Sequence, residues 1–389
     1  MPEESFAHAL RRLRGTLSVR DVARLASVGK STVGDLETGR RQPTSAVAAA
    51  LDAALHAGGQ LVRLAEAPPG TPVREQAAAL QRGLVDALAA GPMSAASLEE
   101  WEYTIVRHGR ATRWRPEADL LPELVSDFGD LQRLLAHRHP VQVRRRLVLA
   151  AAQMSGLMAL TLLKLGDPAS RDWWRTGRAA AAAAEDRAAL SWMYAQESYQ
   201  LYYGSDLEGA VELAARAQHL AGGLPCVGVA LAAPLEARAL ALLGRREQAA
   251  DALQRAAAAL QRLPAEQHVA SAFGYSESQL AFHSGNAWTH LGETERAWEH
   301  QRRALEIYPE SDRMDRALIQ LDRAVCLAQD GDPAQAAAHA VATLDALPEE
   351  HRSALIIYRA QELAARVPEA RSVLEVRVLR EVLELPAGS

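Results

Sequence analysis

Apolar side chains recur along this chain at intervals of three and four residues from one end to the other. No run alternates apolar and β-branched residues at a period of two. The first spacing puts apolar side chains on one face of a helix, and the missing second spacing leaves strands without a signal. The chain is therefore predicted to be all-α. The clearest break is Ala65-Glu66-Ala67-Pro68-Pro69-Gly70-Thr71-Pro72, whose three prolines cannot sit inside a helix. It sets off a head, residues 1–65, from a linker at 66–74 and a body. The body divides into a helical stretch at 75–185, with no repeat signature, and a repeat-bearing stretch at 186–389.

Within the body, Ser97-Leu98-Glu99-Glu100 reads as a capping box that opens a helix. Leu147–Leu163 is a long uncharged stretch, 17 residues containing Gln153, Ser155, Gly156 and Thr161. A membrane span needs ~20 apolar residues, so a buried core helix is predicted there and no membrane partner is expected.

The stretch Leu25-Ala26-Ser27-Val28-Gly29-Lys30-Ser31-Thr32 ends like a phosphate-binding loop. That loop needs a glycine where Arg24 stands and an apolar strand before it. The preceding residues have helical spacing instead and open on Ser18 and Asp21, a capping pair. A helix, a tight turn and a second helix fit the segment better. Val22, Val33 and Leu36 point to a core, and Ala23 is small where two helices must touch.

The run Leu17–Pro43, LSVRDVARLASVGKSTVGDLETGRRQP, resembles the lambda-repressor and Cro type of helix-turn-helix, the XRE family, without gaps. The resemblance implies a five-helix DNA-binding head with helices at about 5–14, 19–26, 30–37, 44–56 and 60–65. It places Lys30, Ser31 and Asp35 toward base edges in the major groove and Thr32 toward the backbone. Arg12, Arg20, Arg40 and Arg41 are the expected phosphate contacts, and Gly39 the C-terminal cap of the third helix. Two positions depart from the pattern. Val19 replaces a frequent glutamine, and Ser27 replaces the usual turn glycine, so Ser27 must turn left-handed or pass the turn to Gly29.

Charge agrees with this division. The whole chain carries 43 Lys and Arg against 48 Asp and Glu, a net −5, yet residues 1–64 carry +3 and the remainder −8. A basic head on an acidic body suits a nucleic-acid contact confined to the N-terminus.

In the body, HSGNAWTHLGETERAWEHQRRALEIYP places Gly285, Trp288, Gly292, Ala297, Ala304 and Pro309 at the offsets of a tetratricopeptide repeat, which the segment resembles. Weaker copies follow through Asp206, Ala210 and Ala217, through Gly244, Ala249 and Ala256, and through Gly331, Ala336 and Pro348. Their turns are read at Gly204, Gly244, Gly292 and Gly331, spaced more widely than the standard repeat. Stacked helix pairs form an α-solenoid whose concave face carries the first helix of each pair. Transferring the offsets gives a ligand-binding groove of Trp192, Tyr199, Tyr202, Tyr203, Arg238, Gln279, Phe282, Asn286, Thr289 and His290. Amides and aromatics there suit an extended peptide.

A head of this type on a tetratricopeptide body resembles the peptide-responsive RRNPP regulators of Gram-positive bacteria, which act in quorum sensing. The resemblance implies a homodimer on a pseudo-palindromic double-stranded operator, with a peptide or small-molecule effector in the groove. The alternative is a protein-interaction scaffold, an antitoxin or sigma-factor modulator, with the head as accessory. No catalytic constellation is expected, hence no enzyme and no cofactor. His137-Arg138-His139 precedes Pro140 and reads as a helix end, not a metal pair. Asp315-Arg316 and Asp322-Arg323 read as ion pairs between helices. Cys226 and Cys326, 100 residues apart, read as reduced buried thiols in a cytoplasmic protein.

Overall fold

The computed structural model describes residues 6–38, 41, 43–66, 79–81, 83–84, 93–367 and 373–384. The expected linker from 67 onward, Gly39 and Arg40 lie outside them. The described residues are all-α, and the chain forms two compact units, Met1–Ala87 and Leu88–Ser389.

The first unit holds helices α1 (Phe6–Arg14), α2 (Val19–Leu25), α3 (Lys30–Glu37), α4 (Ser45–Ala54) and α5 (Gln60–Glu66). Local chemistry sets their starts. Ser18 caps α2, its Oγ accepting from the Asp21 N–H at 3.1 Å and donating to the Asp21 carboxylate at 2.6 Å. Thr44 caps α4 through the Val47 N–H. The cap of α5 comes from a distance: the Asp52 carboxylate on α4 accepts the N–H groups of Gly59 and Leu61, each at 2.7 Å. Phe6, Leu10, Val22, Val33, Leu36, Leu51 and Leu61 close one core beneath all five helices.

Burial pushes the Asp52 carboxyl up, but the N–H donors of Gly59, Leu61 and Val62 outweigh it and hold the group below its ordinary value. A depressed folded value stabilises the fold fully above the unfolded carboxylate value of about 3.9, and that contribution is lost as pH falls through the folded one. Asp52→Ala is expected to cost the head about 1–2 kcal/mol at neutral pH. Hydrogen exchange of peptides covering 45–66 should speed up in the variant, and the gap from wild type should shrink under acid. Unchanged exchange would mean that the cap holds nothing.

The second unit begins with α6 (Ala95–Ala111), α7 (Glu117–Ala136) and α8 (Val141–Lys164). Helix α6 starts three residues before the expected box. Ser94 is its cap, accepting from the Ser97 N–H at 3.1 Å, so Ser97 occupies the third helical position rather than the cap. Helix α8 contains the uncharged stretch. It is long and apolar enough to cross a membrane, but 78% of its apolar window is buried inside the protein, where it is the central core helix. His139 Nε2 bonds the Leu134 carbonyl at 2.7 Å, at the end of α7.

Helix hairpins then follow: α8 with α9 (Ser170–Ala183), α10 (Arg187–Tyr203) with α11 (Leu207–Ala221), and α12 (Val227–Leu242) with α13 (Arg246–Arg262). Next come α14 (Glu277–His290) with α15 (Thr294–Ile307) and α16 (Arg313–Gln329) with α17 (Pro333–Asp345), and finally α18 (Ala354–Arg366) and α19 (Leu374–Glu384). The hairpin turns carry a left-handed residue at Gly166, Ser205, Gly244, Gly292 and Gly331, at spacings of 39, 39, 48 and 39. Gly204 itself has φ −86°, so the turn read at that glycine falls one residue later, on Ser205. The hairpin arrangement also reaches upstream, through Gly166, into the stretch that showed no signature.

Small residues permit the close crossings. Ala210, Ala217, Ala249, Ala256, Ala297 and Ala304 are all buried, and a Cβ on Gly228 would lie 2.5 Å from the Trp192 nitrogen. The longer interval is made by a largely non-helical stretch between α13 and α14. Its Ala272 N–H bonds the Gly109 carbonyl at 2.8 Å, and its Ala272 carbonyl accepts from the Trp192 indole at 2.8 Å.

Candidate nucleic-acid interface

The turn between α2 and α3 is closed by the Val28 N–H on the Ala23 carbonyl at 2.9 Å. Ser27 takes the left-handed conformation, φ 53°, while Gly29 stays extended as the cap residue of α3. Of the two routes open to the turn, the chain uses the serine. Gly29 has no side chain, so the first-turn N–H groups of α3 have no side-chain cap and remain available to an anion.

Val33 and Leu36 plug α3 into the core, which fixes its rotation. Lys30 and Ser31 are then exposed, and Thr32 and Asp35 half-buried at the rim. Neither Lys30 nor Asp35 has an ion-pair partner among the described residues. Arg12 on α1, Arg20 on α2 and Arg41 beyond α3 are exposed.

Two basic residues that the sequence left unassigned hold α3 in place. Arg14 Nε bonds the buried Glu37 carboxylate at 2.6 Å, and Arg11 Nε donates to the Glu37 carbonyl at 2.8 Å. Both cations sit at the C-terminal end of α3, where the helix dipole favours them. Glu37 thus tethers the helix to α1.

A third overlooked residue is Gly34. A Cβ there would meet nothing within 4 Å, so packing does not require glycine, although glycine in a helix interior costs about 1 kcal/mol against alanine. It lies between Ser31 and Asp35 on the outward strip, the side that the resemblance turns toward a duplex. Gly34→Ala is expected to slow exchange across 30–37 while weakening duplex binding. Unaltered binding would remove Gly34 from the interface.

A family model described as a helix-turn-helix domain matches residues 5–65. No curated protein and no solved structure matches the chain. The match spans the five helices of the first unit and identifies that unit as a helix-turn-helix DNA-binding domain. The resemblance turns the outward face of α3 toward the duplex.

In the second unit most of the expected groove residues come together as a packed cluster, while Trp192 meets Phe273 and Thr289 bonds Gly285 and Gln301. Trp192, Tyr199, Tyr202, Tyr203, Arg238, Phe282, Asn286 and Thr289 are all buried, and Gln279 and His290 partly so. Arg238 lies among the rings of Tyr199, Tyr202, Tyr203 and Phe282, 4.3 Å from the Tyr202 centroid. Its Nε donates to Asn286 Oδ1 at 2.7 Å. Asn286 Nδ2 donates in turn to Asp322, and Asp322 pairs with Arg359 of α18. Tyr202 Oη reaches Asn286 and His290, and the ring of Tyr203 meets Tyr358 edge-on.

The side chains expected to line a groove are thus packed inside the unit. The first helices of successive pairs curl tightly enough that α10 and α18 touch, and the concave side chains satisfy one another. Burial pushes the Tyr202 phenol up to about 12, and burial together with the charges of Arg359, Arg366 and Arg238 holds His290 well below the usual histidine value. Of the residues read as interhelix ion pairs, the aspartates pair outside their own helix, Asp315 with Arg113 and Asp322 with Arg359, whereas Arg316 donates to the Leu305 and Tyr308 carbonyls and Arg323 lies over the Trp298 ring.

Proposed function

We propose that this protein is a sequence-specific transcriptional regulator that acts as a homodimer, cytoplasmic and without catalytic activity of its own. The observation that carries the reading is α3: its C-terminus is clamped by Arg11 and Arg14, while its uncapped N-terminus presents Lys30 and Ser31 unpaired. A rigid helix with a free donor-rich tip is what major-groove reading requires. One head offers few base and phosphate contacts. Two heads double both, and the operator is expected to be pseudo-palindromic with half-sites about 34 Å apart or a multiple of it.

The hairpins of the second unit support a tetratricopeptide-like body similar to that of RRNPP regulators, receiving a peptide or small-molecule effector. Tyr199, Gln279 and Phe282, three of the inward-facing residues, border an interior cavity of that unit. Effector binding there would shift the spacing of the two heads.

The test is selection of bound sequences from random duplex DNA by full-length protein, beside a Lys30→Ala/Arg41→Ala double variant. A palindrome enriched by wild type alone is the expected result. Equal enrichment by both proteins, or none by either, would remove the DNA-reading role from α3.

A further inference from the structure

The longer interval between the second and third glycine turns of the repeat region has a structural product. Ser271, Ala272 and Gly274 of the non-helical stretch form one wall of a cavity of about 60 Å³ inside the second unit. We infer that this cavity is a binding site for a small monocarboxylate with a short apolar tail. The inference rests on the reading of the second unit as the effector-binding part.

The polar side of the cavity is rich in hydrogen-bond donors. Gln196 is only 8% exposed, lines the space, and its amide has no hydrogen-bond partner among the described residues. His283, also buried, accepts from Arg238 at Nδ1, 3.3 Å away, because a guanidinium offers only donors. Burial and the Arg238 charge hold this imidazole neutral, so its single proton sits on Nε2, which has no protein partner among the described residues. Lys164 Nζ bonds the Thr112 carbonyl at 3.0 Å and Glu117 at 3.1 Å, which leaves its third proton. Arg113 uses Nε and Nη2 on Asp312 and Asp315 and keeps Nη1.

One carboxylate, Asp315, lies in the wall; Arg113 and the Tyr308 hydroxyl, the latter at 2.8 Å, both engage its Oδ2, which leaves Oδ1 without a hydrogen-bond partner among the described residues. The unspent donors of Arg113, Lys164, His283 and Gln196 outnumber that one carboxylate oxygen and favour an anionic head group. The opposite side is apolar, formed by Leu160, Leu231, Phe282 and Met314, and suits a short hydrocarbon tail. The volume admits about four waters, or a ligand of about six non-hydrogen atoms.

Calorimetric titration of full-length protein, without DNA, tests this with acetate, propionate, butyrate and octanoate as probes. Butyramide is the neutral counterpart and inorganic phosphate the anion without a tail. The expected result is saturable butyrate binding, at least tenfold tighter than butyramide, phosphate or octanoate. The Gln196→Met variant, similar in size but without the amide, should weaken butyrate at least tenfold. Octanoate binding as tightly as butyrate overturns the site with wild-type protein alone, whatever the variant does to folding. Absence of carboxylate binding, or equal affinity for butyramide, overturns it too and leaves the DNA-binding role standing. Butyrate binding that leaves operator affinity unchanged keeps the site and removes effector control.

Discussion

Asp322→Ala is expected to destabilise the second unit by about 3–5 kcal/mol, the range for breaking a buried ion pair from one side. Asp322 is 1% exposed and Arg359 2% exposed, so removing the carboxylate takes one of the two acids from a buried guanidinium and leaves it only Glu362. The damage spreads along the chain of bonds. Both Asp322 oxygens accept from Asn286 Nδ2, at 3.0 and 2.8 Å, and this orients Asn286 Oδ1 toward Arg238. Among the described residues Arg238 has no carboxylate in contact, and its close acceptors are Asn286, His283 and Tyr203. The paired variant Asp322→Leu/Arg359→Leu removes both charges and should recover most of the loss, since an apolar replacement of a buried pair is often neutral. All seven tryptophans lie beyond residue 100, so fluorescence-monitored urea unfolding reports this unit without the head. Strictly additive losses in the two single variants and the pair would show that the contact carries no coupling.

Features that depend on a few adjacent residues were readable from the chain. The five head helices were, because caps such as Ser18 with Asp21 and the three-four spacing of Val22, Val33 and Leu36 act within a turn or two. Where two local signals competed, the choice was not visible. Ser94 and Ser97 both suit a cap, and the structure uses the earlier one; Gly204 is the better left-handed residue, yet Ser205 takes that conformation. The inner cluster lay further out of reach. The period correctly turned Tyr202, Arg238 and Asn286 to one side of their helices. Whether that side is open depends on curvature, which is set by contacts such as Tyr202 with Asn286, 84 residues apart. The clamp of Arg11 and Arg14 on Glu37 was hidden for the same reason: exposed and buried arginines look alike in a sequence.

Lys30→Ala is expected to reduce operator affinity by about 1–3 kcal/mol per head, roughly five- to 150-fold, and by more in a dimer that uses two heads. The side chain is exposed, without an ion-pair partner among the described residues, so the fold of the head should not change. Its place at the first position of α3 decides the kind of loss. A contact to a base edge distinguishes sequences, whereas a contact to phosphate does not. Lys30→Ala should therefore weaken the selected operator far more than a scrambled duplex. Arg20→Ala and Arg41→Ala should weaken both alike and flatten the dependence of affinity on salt by about one ion per lost contact. Anisotropy titrations of each variant on both duplexes, at several salt concentrations, separate these cases. If Lys30→Ala lowers both affinities equally and flattens the salt slope, Lys30 grips the backbone, and α3 lies in the groove at a different angle from the one its resemblance implies. Sequence reading would then pass to Ser31 and Asp35, the next outward positions on the same helix.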